Sequence, residues 1–164
     1  MENRENTERL QPEEKASQVA VEFEKEYLTN DIQKSASWFF WIAGLSIINT
    51  VIYTTSGGVY FVIGLGISQF VDGIVTGLMD GPSLISLIPN LLIAGFFVLI
   101  GYRARKYSKR AFITGVIIYT LDALLFLYFR EWMAFGFHVF ALVMISKGFF
   151  KIFEYDKACK QVTK

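Results

Sequence analysis

"VYFVIGLGISQFVDGIVTGLM", residues 59–79, is the stretch on which the fold turns. At ~1.5 Å per residue it is long enough to cross the ~30 Å core of a bilayer. Its contents argue against a plain crossing. Gly64, Gly66, Gly73 and Gly77 interrupt it, and Ser68, Gln69, Asp72 and Thr76 add polar groups. Irregular backbone at membrane depth is tolerated only where protein covers it or water lines it. The segment reads either as a full span or as a re-entrant, half-buried helix, and the second reading is preferred. Gln69, Asp72 and Thr76 recur at spacings of three and four, so they share one helical face. That face is expected to meet protein or a water-filled cleft, because a carboxylate facing hydrocarbon costs at least ~2.5 kcal/mol on insertion scales.

Four further apolar runs surround this one, over 38–53, 84–102, 112–129 and 132–150. Each approaches the ~18 residues that a crossing needs, and none alternates as a β-barrel strand does. The 164-residue chain, 53% hydrophobic, reads as all-α: a polytopic membrane protein with five hydrophobic helices and four or five full spans. Trp38 and Trp41 suit an interfacial belt. Pro89 and Asn90 predict a kink in the third run. Little more than Arg130 and Glu131 separates the last two runs, which predicts an antiparallel hairpin turning there. Residues 1–36 form a polar, partly helical segment, 37–153 the membrane helix bundle, and 154–164 a polar tail able to extend the last helix.

Residues 1–12 are polar and read as disordered. No cleavable signal peptide is visible at this acidic start. After Pro12 the pattern turns helical over 13–34. Ala16, Val19, Ala20, Phe23 and Tyr27 form a narrow apolar stripe, with acids on the other face. This is either a solvated lead into the first span or a docking helix for a protein partner; an anionic membrane surface would repel it. Residues 1–36 hold nine acids and five bases, and the remainder six acids and eleven bases. The bases flank apolar runs, which speaks of topology and not of nucleic acid. Five lie in eight residues: Arg103, Arg105, Lys106, Lys109 and Arg110. That loop and the tail, with Lys151, Lys157, Lys160 and Lys164, are expected on the cytoplasmic side of the cell membrane. Four spans put the amino terminus inside as well; five put it outside.

The chemistry-bearing residues are few. Cys159 and His138 each occur once, so neither a disulfide nor a metal site is expected, and the glycines lie in apolar helix, not in a phosphate loop; no cofactor is expected. Asp72 and Asp122 together are similar to the paired acids of aspartyl intramembrane proteases, yet "FVDG" and "TLDA" lack that family's motifs. Ser68 with His138 is similar to the dyad of rhomboid proteases, yet Gln69 follows where those enzymes carry glycine. A protease is the remote alternative. A small oligomeric proton- or ion-coupled transporter or channel, using Asp72, Asp122 and His138, is the nearer one. The leading expectation is a non-enzymatic component that binds or regulates a partner through the amino-terminal helix or the basic loop.

"WFFWIAGLSIINTVI", "GLGISQFVDGI" and "GFHVFALVMISKGF" resemble segments of small bacterial inner-membrane proteins of no assigned activity. The resemblance covers residues 37–150 and implies a multi-pass helical protein, but no reaction and no site.

Asp122 stands alone in the apolar run "VIIYTLDALLFLYF", residues 116–129. Reflecting the final hairpin about its turn places 122 opposite 139, so His138 lies within about 1.5 Å of the same depth. A hydrogen-bonded Asp122–His138 pair is expected, with Tyr119 or Asn90 as alternative partners for the acid.

Overall fold

The structure is a computed structural model and describes residues 12–56, 64–81 and 83–162. Of the polar start 1–12 expected to be disordered, 1–11 lie outside these residues and Pro12 opens the first helix; 59–63 of the odd segment lie outside them too. The helices are α1 (Pro12–Thr55), α2 (Gly66–Leu78), α3 (Leu87–Arg105), α4 (Lys109–Tyr128) and α5 (Trp132–Val162), with a 3-10 turn over Leu84–Ser86 before α3. Among the described residues there is no strand.

Four stretches are long and apolar enough to cross a membrane: Lys15–Thr55, Leu84–Arg105, Lys109–Tyr128 and Trp132–Lys160. The fifth apolar run is not among them. Its helix, α2, has 13 residues, about 20 Å, which is too short for a bilayer core. Among the described residues there are thus four helices of spanning length and one half-length helix.

The spans form a ring in which α1 packs on α3 and α5, and α4 closes the circle between those two. Neighbours run antiparallel, as contacts between distant levels show. At one end Arg105 Nη2 donates to Ser37 Oγ at 2.8 Å; at the other Asn90 Nδ2 donates to Thr50 Oγ1 at 2.9 Å. The core is aromatic: Phe39, Phe97, Phe112 and Tyr119 are buried, with Phe39 edge-on to Phe112 and Phe97 edge-on to Tyr119. Ile88, Leu92, Leu99, Ile117 and Leu121 point outward, an apolar exterior suited to lipid.

Three helices end in the same way. Asp80, Tyr107 and Arg130 adopt left-handed backbone at φ 54°, 61° and 60°. The next amide reaches back five residues: Gly81 to Thr76 O, Ser108 to Arg103 O, Glu131 to Phe126 O. This Schellman closure satisfies carbonyls that would otherwise be stranded. Arg130 and Glu131 thus make the expected hairpin turn. The expected kink at Pro89 is replaced by a helix start. Pro89 sits in the first turn of α3, where an amide hydrogen has no helical acceptor anyway.

The polar ends are continuous with the bundle. α1 runs unbroken for 44 residues, burying Leu28 and Ile32 well before the apolar window begins. α5 runs on to Val162, burying Ile152 and Ala158. The turn between α3 and α4 touches both extensions: Tyr107 donates from its hydroxyl to Thr29 Oγ1 at 3.5 Å on α1 and stacks on Tyr155 at 4.7 Å on α5, and Lys109 pairs with Asp156. The described ends therefore lie on one side. Reporters fused to the amino and carboxyl termini should both be active, or both silent, in the same compartment. One active and one silent would refute the four-span arrangement.

Candidate functional site

α2 runs parallel to α1, the helix that precedes it. Three side-chain hydrogen bonds step upward along both helices: Ser46–Ser68 at 2.7 Å, Thr50 to Asp72 at 3.3 Å and Tyr53–Thr76 at 2.8 Å. The amino terminus of α2 therefore lies deep among the spanning helices, level with Ser46, and its carboxyl end lies level with Tyr53.

That terminus has no local cap. Leu65 precedes α2 in extended backbone and offers no side-chain acceptor. Asp122 supplies the cap from α4. Its Oδ2 accepts from Gly66 N at 2.9 Å and its Oδ1 from Ile67 N at 2.8 Å. A carboxylate at a helix amino terminus satisfies orphan amides and complements the helix dipole. Gly66 makes the approach possible, since a Cβ there would meet Phe126 at 3.0 Å and Asp122 Oδ1 at 3.3 Å. Asp122 lies 13 residues beyond Lys109, about 20 Å along α4.

His138 completes the arrangement. It occupies the inward row of α5 with Ala134, Ala141 and Ile145, and its Nε2 lies 3.0 Å from Asp122 Oδ2. The expected pairing is therefore present. His138 is 0% exposed and Asp122 4%. Tyr119 stacks on one side of the imidazole at 4.5 Å and Phe126 leans on it at 4.8 Å. Tyr119 thus touches the histidine with its ring face, and Asn90 is engaged elsewhere.

The geometry fixes the number of protons. His138 Nδ1 lies 2.8 Å from Ala134 O, a pure acceptor, so Nδ1 carries hydrogen. Nε2 faces a carboxyl oxygen, and two lone pairs at 3.0 Å would repel. One further proton must therefore lie between them, on nitrogen or on oxygen. Either placement leaves the pair with zero net charge, which is what a low-dielectric interior favours. The remaining exposed edge of Asp122 opens on an apolar cleft of about 440 Å³ lined also by Ile67, Phe97, Ile118 and Leu121.

Asp72 forms a second cluster. It is 0% exposed, as are Thr50 and Asn90. Asn90 Nδ2 donates both to Asp72 Oδ1 at 2.8 Å and to Thr50 Oγ1 at 2.9 Å. The face expected to carry Gln69, Asp72 and Thr76 is shifted. The inward row is Ser68, Asp72 and Thr76, because four-residue steps stay within one stripe while Gln69 falls about 60° to its side. Gln69 lines a separate cleft of about 810 Å³ with Phe70, Ile74, Phe129 and Glu131. The basic loop is spread out: Arg105 covers Phe40 at 4.7 Å and Lys106 covers Tyr102 at 4.4 Å, whereas Arg103 and Arg110 are exposed.

Sequence reasoning missed the α1 half of this seam. Ser46, Asn49, Thr50 and Tyr53 recur at helical spacing within an apolar run, a polar stripe that signals a partner inside the membrane. Comparisons with known proteins give no match: no family model, no curated protein and no solved structure is significantly similar to the chain.

Proposed function

We propose that the protein is a partner-binding component of the cell membrane, with both described ends and the 103–110 loop in the cytoplasm. The observation that carries this reading is the exposed apolar face of α1; of Val19, Phe23 and Tyr27, it is Tyr27 that meets the bundle, through Lys151, whose Nζ lies 5.7 Å from its ring. Val19, Phe23 and Tyr27 are 47%, 68% and 60% exposed, on the part of α1 that precedes its apolar window. Leu28 and Ile32 face the bundle instead. The stripe is apolar at heptad-like spacing and is flanked by Glu22, Glu24, Glu26 and Asp31. Two parallel copies would bring Glu26 against Asp31, like charge on like charge, so self-pairing is disfavoured. The complement is an amphipathic helix of another protein whose apolar stripe is bordered by lysine or arginine. Ser68 is engaged with Ser46, and the two aspartates have separate partners. Both arrangements weigh against the protease alternatives.

A photo-crosslinker at Phe23 in the full chain, within its own membranes, should yield one discrete adduct that disappears with Glu22→Lys and Glu26→Lys. An adduct of twice the chain mass, or one that survives charge reversal, overturns the proposed partner chemistry.

The half-length helix favours a second reading, a small ion-coupled carrier using Asp72, Asp122 and His138. Discontinuous helices often frame ion sites in transporters. Against it, Phe39, Phe97, Phe112 and Tyr119 fill the bundle beyond His138.

A further inference from the structure

The two buried carboxylates are compensated very differently. Asp122 has an imidazole and a helix terminus. Asp72 lies in the middle of α2, where the helix dipole offers nothing. Its partners among the described residues, Thr50 and Asn90, are neutral. The one base at this end of the bundle among those residues, Arg130, is exposed at the α4–α5 turn. A carboxyl group 0% exposed among membrane spans must be neutralised, by a proton or by a counter-ion.

The surroundings are rich in oxygen. Besides the carboxylate there are Thr50 Oγ1, 3.3 Å from Asp72 Oδ2, and the buried Ser86 hydroxyl, which donates to Ser83 O. Asn90 adds a further observation. Its Oδ1 is fully buried and has no hydrogen-bond partner among the described residues, an arrangement that costs free energy. Half a turn about χ2 exchanges Oδ1 for Nδ2. Asn90 then presents oxygen to the two atoms its nitrogen now contacts at 2.8 and 2.9 Å. Three oxygens then face one another with only the Thr50 hydroxyl hydrogen among them, an arrangement that a cation stabilises.

We propose that Asp72, Thr50 and Asn90 form a sodium-ion site buried beside the half-length helix. Charge selects a monovalent ion, since one carboxylate neutralises one positive charge and a divalent ion would leave a buried excess. Hard cations take oxygen ligands of this kind. Size selects sodium. Thr50 Oγ1 and Asp72 Oδ2 are 3.3 Å apart, and ligands at right angles with that separation fit a metal–oxygen distance of about 2.3 Å, near that of a Ca²⁺-sized ion. Na⁺ is of that size; K⁺ is larger. In the structure Asn90 presents its nitrogen to Asp72 and Thr50 while its oxygen is stranded; a bound ion would draw the amide oxygen inward and become its partner. The site stands independently of the partner proposed for α1.

The test uses the full-length protein in detergent, unfolded by heat at equal ionic strength and constant pH in NaCl, KCl or choline chloride. Saturating Na⁺ should raise the midpoint by about 5 °C over choline, and K⁺ should give much less. Thr50→Val keeps the side-chain shape and removes one ligand, so half-saturation should need roughly tenfold more Na⁺. Asp72→Asn should abolish the response. Equal midpoints in all three salts overturn the proposal, as does a response that persists unchanged in Asp72→Asn or Thr50→Val. A midpoint that follows pH while ignoring Na⁺ assigns the counter-charge to a proton and overturns it too.

Discussion

Asp122→Leu should leave no folded protein to isolate. The substitution strands the Gly66 and Ile67 amides and deprives His138 Nε2 of its partner. Each buried, unsatisfied group costs roughly 1–3 kcal/mol, so three cost about 3–9 kcal/mol. A whole domain has a net stability of only about 5–15 kcal/mol. Asp122→Asn should be far milder, because the proton count allows a neutral substitute. The asparagine oxygen can accept from Ile67 N, and its NH2 can donate to Nε2 of a neutral His138 that still donates from Nδ1 to Ala134. Only the Gly66 amide is stranded, at roughly 1–3 kcal/mol. Yield of monodisperse protein and thermal midpoint separate the two variants. A leucine variant as stable as its parent would sink this account of the half-helix cap.

Gly148→Ala should be the most damaging single-methyl change in the bundle, and it should be repairable. α1 and α5 approach closely where Ser35 faces Gly148. A Cβ at 148 would run into Ser35 Cβ and lie 2.9 Å from Ser35 Oγ, with Phe112 at 3.2 Å. Ser35 Cβ is fixed to the backbone, so the helices themselves must separate. Overpacking of this kind costs about 1–3 kcal/mol, or roughly 2–12 °C in midpoint for a chain of this length. Ser35→Gly removes both offending atoms. The double variant Ser35→Gly with Gly148→Ala should recover most of the loss, leaving only a small shift of the Phe112 ring. Additive losses in the double variant would show that the helices do not meet at this point.

The spans, the hairpin turn and the Asp122–His138 pair were legible because each rests on a local rule: apolar length, loop length, and reflection about a short turn. The half-helix was legible as an anomaly, from four glycines and a polar stripe within residues 59–79. What covers that helix was not. The Gly66 and Ile67 amides leave no mark in a string of side chains, so the main partners of Asp122 were invisible. The Ser46–Ser68 and Thr50–Asp72 bonds depend on α2 running parallel to α1, a relation between two helices that no periodicity encodes. Pro89 misled for a related reason: its effect depends on whether it falls inside a helix or in its first turn, and helix ends are the least certain part of a sequence reading.

The half-length helix has a consequence for the order of events at the ribosome. The amide at Gly66 and the carboxylate that caps it are 56 residues apart in the chain. At about 5–20 residues per second, Asp122 is made roughly 3–11 s after Gly66, and His138 later still. Through that interval the half-helix has no cap and no place of its own in lipid. It must wait at the surface or in the insertion machinery until the α4–α5 hairpin arrives. Release of the chain before Asp122 is made would leave an intermediate whose first span is already inserted and whose half-length helix is exposed, a natural substrate for membrane quality-control proteases.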